Sequence, residues 1–112
     1  MKTVEIQYPG EGDYYNKELH VGENLGIRTL LGTVYLKKGA RIPETGFSRH
    51  PFNEVSIITE GCIEMIDEEN KVLGYLRAGT AVYFNAGEPQ AGHVMEDTKL
   101  IYVLNQPNKQ PE

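Results

Sequence analysis

The sequence predicts an all-β domain, a sandwich or small barrel, and three observations carry that prediction. Apolar residues recur at a spacing of two, in short runs rich in Val, Ile, Tyr and Thr. Gly, Pro, Asn and Asp punctuate these runs at regular intervals, and no stretch carries the stripe of an amphipathic helix.

Each element follows from local chemistry. Val4 to Tyr8 alternates as a strand and stops at Pro9-Gly10-Glu11-Gly12-Asp13, residues that favour turns over a ladder. Leu19 to Val21 and Ile27 to Leu36 are the next strands, with Gly22-Glu23-Asn24 between them as turn material and Lys37-Lys38-Gly39 closing the longer one. Residues 39–53 break the rhythm, because Gly39, Pro43, Gly46 and Pro51 forbid a continuous ladder. A long loop carrying Arg41, Arg49 and His50 is expected there, facing a site. Strands resume at Glu54 to Glu60 and, after Gly61, at Cys62 to Ile66, which leads to a polar hairpin tip at Asp67-Glu68-Glu69-Asn70. Lys71 to Leu76, Thr80 to Phe84, Ala91 to Met95 and Lys99 to Leu104 complete the series. A single domain is expected, with its barrel core at about residues 19–104 and residues 105–112 as a polar tail.

Composition narrows the function. The chain has 112 residues, room for one core. Leu, Ile, Val and Phe make up a quarter of it, which excludes intrinsic disorder. No apolar run nears the ~18 residues of a membrane span, and the first residues lack an apolar targeting segment, so the expectation is a cytoplasmic chain that does not engage a membrane. The single Cys62 closes no intrachain disulfide and reads as a small packed side chain. A net charge of −5 repels phosphate backbones, so nucleic acid is not expected as a partner. P-loop, nucleophile-elbow, EF-hand and His-Glu-x-x-His patterns are all missing.

What remains is Gly39, Ser48, His50, Glu54 and Gly61, then Gly79, Asn85, Gly87, Gln90 and His93. This constellation resembles the cupin superfamily. His50, three residues, Glu54, six residues and Gly61 match the second half of the first cupin motif in register, while Ser48 stands where that motif has its first histidine and the spacer from Gly39 is longer by three. Gly79, five residues and Asn85-Ala86-Gly87 match the second motif with Asn for Pro. Gln90 falls where that motif has its histidine, and His93 follows three residues later. The resemblance covers Gly39 to Met95, about half the chain, and implies a small cupin-type β-barrel, a double-stranded β-helix or jelly roll.

A metal site has a physical argument as well. If residues 48–54 are extended, Ser48, His50 and Glu54 share a face, so an imidazole and a carboxylate converge. The cupin closure makes His93 the third ligand. His50, Glu54 and His93 would suit a divalent transition metal (Fe, Mn, Ni or Zn) with positions open for substrate. Competing readings are a turn residue for His50, an edge carboxylate for Glu54 and a hydrogen-bonded core histidine for His93.

Ser48, Tyr83, Gln90 and Arg41 are the expected substrate contacts: Gln90 by hydrogen bonding and Arg41 by holding a carboxylate. The chain is distantly similar to ectoine synthases, iron cupins with a Glu, Tyr and His ligand set, through Glu54, a tyrosine on the strand after Gly79, His93 and an Asn-x-Pro ending. Tyr83 is one residue out of phase with that family's tyrosine, which reverses its face and favours a packed barrel tyrosine. The functional expectation is a metal-dependent enzyme acting on a small polar or carboxylate-bearing metabolite by isomerase, lyase, cyclase or dioxygenase chemistry. The alternative is a non-catalytic binding module with a degenerate metal site. A homodimer is expected, with Val4 to Tyr8 pairing across a two-fold axis; the alternative is that this segment folds back on its own barrel.

Overall fold

The computed structural model describes residues 1–107. Seven strands follow in order: β1 (Asn16–Asn24), β2 (Ile27–Leu36), β3 (Arg41–Ile42), β4 (Asn53–Ile66), β5 (Val72–Arg77), β6 (Ala81–Phe84) and β7 (Gly92–Pro107). All pair antiparallel in one sheet, ordered β1-β2-β7-β4-β5, with β3 also against β7 and β6 against β4. Among the described residues no helix is long and apolar enough to cross a membrane.

Two long strands curl the sheet. On one side of β7, residues 98–107 pair with β2 and residues 92–93 with β3, while its other side runs along β4. On the far side of β4, residues 54–57 pair with β6 and residues 62–66 with β5. The break between the two halves of β4 is a series of bulges around Gly61, whose φ is +97°. A Cβ there would sit 2.4 Å from the carbonyl oxygen of Asp97, so only glycine lets β4 and β7 approach this closely. The bulge also resets the face of β4. Glu54, Ser56 and Ile58 line the inner side before it, and Ile63 and Met65 line it afterwards.

The core is a wall around a space. Leu30, Val34, Leu36, Ile58, Ile63, Val94, Leu100 and Tyr102 form one buried cluster, and most of them also line an internal cavity of about 200 Å³. Burying each large apolar side chain of such a wall contributes about 1.5–3 kcal/mol.

Three element boundaries differ from the sequence expectation. Val4 to Tyr8 forms no strand. Instead the arm lies against the outer side of the sheet, where Thr33 donates to the Gln7 carbonyl (2.5 Å) and the Tyr8 and Thr59 hydroxyls meet at 2.8 Å. Thr33 is fully covered although it alternates with the inward Gly32 and Val34. Of the turn or bend expected at Gly61 the structure shows the bend, within one strand, whereas Ala91 to Met95 and Lys99 to Leu104, expected as two strands, belong largely to a single one. The expected tail begins too early, because Asn105, Gln106 and Pro107 continue β7 opposite Thr29, Arg28 and Ile27. Residues 108–112 of that tail lie outside the described residues.

Candidate functional site: a His50–Glu54 cavity

Two loops meet at one end of the cavity. Ser48 and Gln90 exchange both backbone hydrogen bonds, each N–H donating to the other's carbonyl at 2.9 Å. Gly87 N–H donates to the His50 carbonyl at 2.7 Å, Arg49 Nη1 donates to the Gly87 carbonyl, and Ala86 N–H donates to Asn53 Oδ1. These bonds hold the segment before β4 against the segment before β7, so Ser48, His50 and Gln90 all line the cavity. The His50 ring is further fixed by stacking on Phe52, with centroids 5.0 Å apart and planes at 10°.

Glu54 enters from the start of β4 and is mostly buried, its side chain 15% exposed. Its Oε2 accepts a hydrogen bond from Ser56 Oγ at 2.8 Å, leaving Oε1 3.9 Å from His50 Nε2. That gap is too long for a direct hydrogen bond and leaves both atoms able to engage a third group between them. On the neighbouring strand, Tyr102 lies opposite Ser56 and donates its hydroxyl to Asn16 Oδ1 at 2.5 Å. Burial pushes the Tyr102 phenol above its ordinary value, so it stays protonated and hydrogen-bonding through the neutral range. At the rim, Tyr15 is raised to about 12, chiefly by its hydrogen bond with Tyr14 and then by burial. The remaining walls are apolar, with Val82 and Phe84 from β6, Leu76 from β5 and Leu104 from β7. A second, wider cleft shares Tyr15, Leu36, Ile42 and Ser48 with the cavity and continues outward past Arg41 and Glu11.

The structure gathers Ser48, His50, Glu54 and Gln90 and leaves the other expected residues outside. His93 is the principal correction. On β7 the inward residues are Gly92 and Val94, so His93 points to the outer side, where its Nδ1 lies 3.3 Å from Glu64 Oε1. Tyr75 donates to the other oxygen of Glu64 at 3.0 Å, and that bond holds the phenol above its usual value. Tyr83 is 54% exposed on the outer side, because Val82 and Phe84 take the inward positions of β6; it is neither a cavity contact nor a packed core tyrosine. Arg41 borders the outer cleft, and its Nη1 donates to the Pro43 and Gly46 carbonyls, a structural use of the guanidinium. Tyr15, Asn16, Ser56, Phe84 and Tyr102 are among the cavity residues that sequence reading passed over. Ser56 shares the parity of Glu54, and that signal alone was sufficient to find it.

The donor chemistry decides whether a transition metal fits. Without His93 the cavity offers one imidazole and one carboxylate, supplemented by the neutral Ser48 hydroxyl and Gln90 amide. Among the described residues no group of three or more His, Cys, Asp or Glu side chains lies together. Two strong donors fall short of the three protein ligands usual for a resident transition metal, so the set does not fit one.

No family model matches the chain, and no curated protein does. Solved structures do match. The chain is similar to an RmlC-like cupin protein from Desulfovibrio desulfuricans, at 15% identity and a TM-score of 0.60 over 93% of this chain and 95% of that one. A cupin-2 domain protein from Shewanella frigidimarina matches at 18% identity and a TM-score of 0.53, over 77% of this chain and 74% of that one. The DMSP lyase DddQ from Ruegeria pomeroyi matches at 20% identity and a TM-score of 0.59, over 74% of this chain but only 41% of the lyase. The antiparallel curled sheet, the two loops meeting over an internal cavity and these likenesses agree: the chain has the cupin fold.

Proposed function

We propose that the chain binds a small, largely apolar molecule inside the barrel and grips one polar group of it between His50 and Glu54. The observation that carries this reading is the 3.9 Å separation of His50 Nε2 and Glu54 Oε1 on the wall of a mostly apolar cavity of about 200 Å³. A space of that size accommodates a single six-membered ring with a polar substituent, since a ~150 Å³ apolar cavity takes up benzene. Hydrogen bonds to charged groups contribute about 1.5–3 kcal/mol, which favours ligands able to donate to the carboxylate. Proton transfer on the bound molecule is a second reading. It is favoured by Tyr102, a phenol on the strand beside Glu54 and lining the same space.

Cyclohexanol is a suitable probe, followed by ligand-detected NMR in buffered D₂O. Binding to the parent protein is expected, and His50→Ala and Glu54→Ala are each expected to weaken it about tenfold, the value of one lost hydrogen bond of about 1.4 kcal/mol. Equal binding by the parent and both variants would show that the pair does not hold the ligand.

A further inference from the structure

We infer that the group held in the cavity is a cation, so that the ligand is a small primary or substituted amine with an apolar body. This rests on the ligand-binding reading of the cavity. Four ionisable side chains line the space: Glu54, His50, Tyr15 and Tyr102. Glu54 is the one carboxylate among them. Among the described residues no lysine or arginine is on the cavity wall.

The cations that border the outer cleft already have partners, and Arg49, between the lining residues Ser48 and His50, is bound to Glu68 at 2.8 Å and to the Gly87 carbonyl. Lys37 is bound to Glu11 at 2.7 Å and to Asp97 at 3.3 Å, and Arg41 Nη1 is bound to two backbone carbonyls. Nothing on the wall therefore neutralises a ligand carboxylate, and Glu54 repels one. The carboxylate has one oxygen committed to Ser56 and one open toward His50. A mostly buried carboxylate with an open oxygen gains most from a charged donor, because hydrogen bonds to charged groups are the stronger class.

The apolar wall supports the same choice. Phe84 and Tyr102 are both buried and line the cavity, with Tyr15 at its rim. Aromatic faces attract an ammonium and do not attract a carboxylate. The 3.9 Å gap between His50 Nε2 and Glu54 Oε1 leaves room for an ammonium hydrogen to take the Glu54 oxygen.

The test compares three molecules of one shape, cyclohexylamine, cyclohexanol and cyclohexanecarboxylate, titrated calorimetrically into the full chain at pH 7. The amine is expected to bind about tenfold more tightly than the alcohol, the step between a neutral and a charge-assisted hydrogen bond. The carboxylate is expected to bind at least about tenfold more weakly than the alcohol. In Glu54→Gln the amine should fall to the alcohol's affinity while thermal unfolding shows the variant folded. If the alcohol binds and the amine binds no tighter, the cation preference is wrong and the binding reading stands. A carboxylate that binds tightest overturns the preference equally. If none of the three binds the parent, both readings fall. The parent series needs no variant, so misfolding of Glu54→Gln leaves the inference open to refutation.

Discussion

Ser48→His combined with Gln90→His should turn this barrel into a tight metal site. The two residues are directly opposed and share a pair of 2.9 Å backbone hydrogen bonds, and both line the cavity with His50 and Glu54. Side chains at opposed antiparallel positions start from Cβ atoms about 4.5–5.5 Å apart, close enough for two imidazoles to reach one ion. The parent offers two strong donors and the double variant four. A complete four-ligand zinc site is worth about 10–16 kcal/mol, or roughly 3 kcal/mol per ligand. Two added histidines therefore contribute about 6 kcal/mol, nominally a 10⁴-fold gain in affinity, and imperfect ring placement still leaves about a hundredfold. Competition against a chromophoric chelator measures Zn²⁺ affinity for the parent, each single variant and the double variant. The singles should fall between the extremes. A double variant that remains folded and binds Zn²⁺ no better than the parent would refute the convergence of positions 48, 50, 54 and 90 on one space.

Gly32→Ala places a Cβ 2.3 Å from the ring and hydroxyl of Tyr102, which must then move off Asn16. Overpacking and the lost buried hydrogen bond together cost about 3 kcal/mol, lowering the melting temperature by roughly 10–20 °C, and an unchanged melting temperature would remove Tyr102 from this position. Because burial raises the Tyr102 phenol above its unfolded value, the stability linked to its protonated form is complete below pH 10 and is lost as pH rises through the raised value. The melting temperature should therefore fall above pH 10, and Tyr102→Phe should make that fall shallower, the remainder coming from Tyr15 and Tyr75, which are raised too. An identical alkaline slope in Tyr102→Phe would contradict this.

The strand rhythm was readable across most of the barrel. Ile27 to Leu36 matches β2, whereas the parity argument for His50 and Glu54 assumes an extended 48–54; the chain bends at Pro51-Phe52, and the two side chains meet at the cavity through the loop contacts instead. His93 was misplaced for a visible reason: it is followed by Val94 and Met95, two apolar residues in succession, so alternation assigns it no face. Val94 is in fact sealed and Met95 exposed, which turns His93 outward. The cupin resemblance already held the better candidate, since Gln90 occupied the motif position and is the residue found at the cavity. Val4 to Tyr8 alternates as strands do, yet its contacts to the barrel are made by the Gln7 carbonyl and the Tyr8 hydroxyl, a docking that periodicity does not encode. Asn105 to Pro107 had the composition of a tail. Their place in β7 depends on the Thr29 hydroxyl donating to Asn105 Oδ1 and on partners more than seventy residues away in the chain.

That last pairing bears on how the protein folds. Ile27 meets Pro107, Asn16 meets Tyr102 and Ser48 meets Gln90, so the contacts that close the barrel and its cavity join segments far apart in sequence. Long loops must close before such contacts return any energy, which puts folding in the slow range of milliseconds to seconds typical of non-local β topologies. The cavity consequently has no existence in a fragment or a half-formed sheet. Occupying it acts on the folded population as a whole. A ligand at a hundred times its dissociation constant adds about 2.7 kcal/mol to global stability. The melting curve of the intact chain thereby serves as a reporter for unknown ligands, with each true occupant shifting β1, β4 and β7 in one cooperative transition.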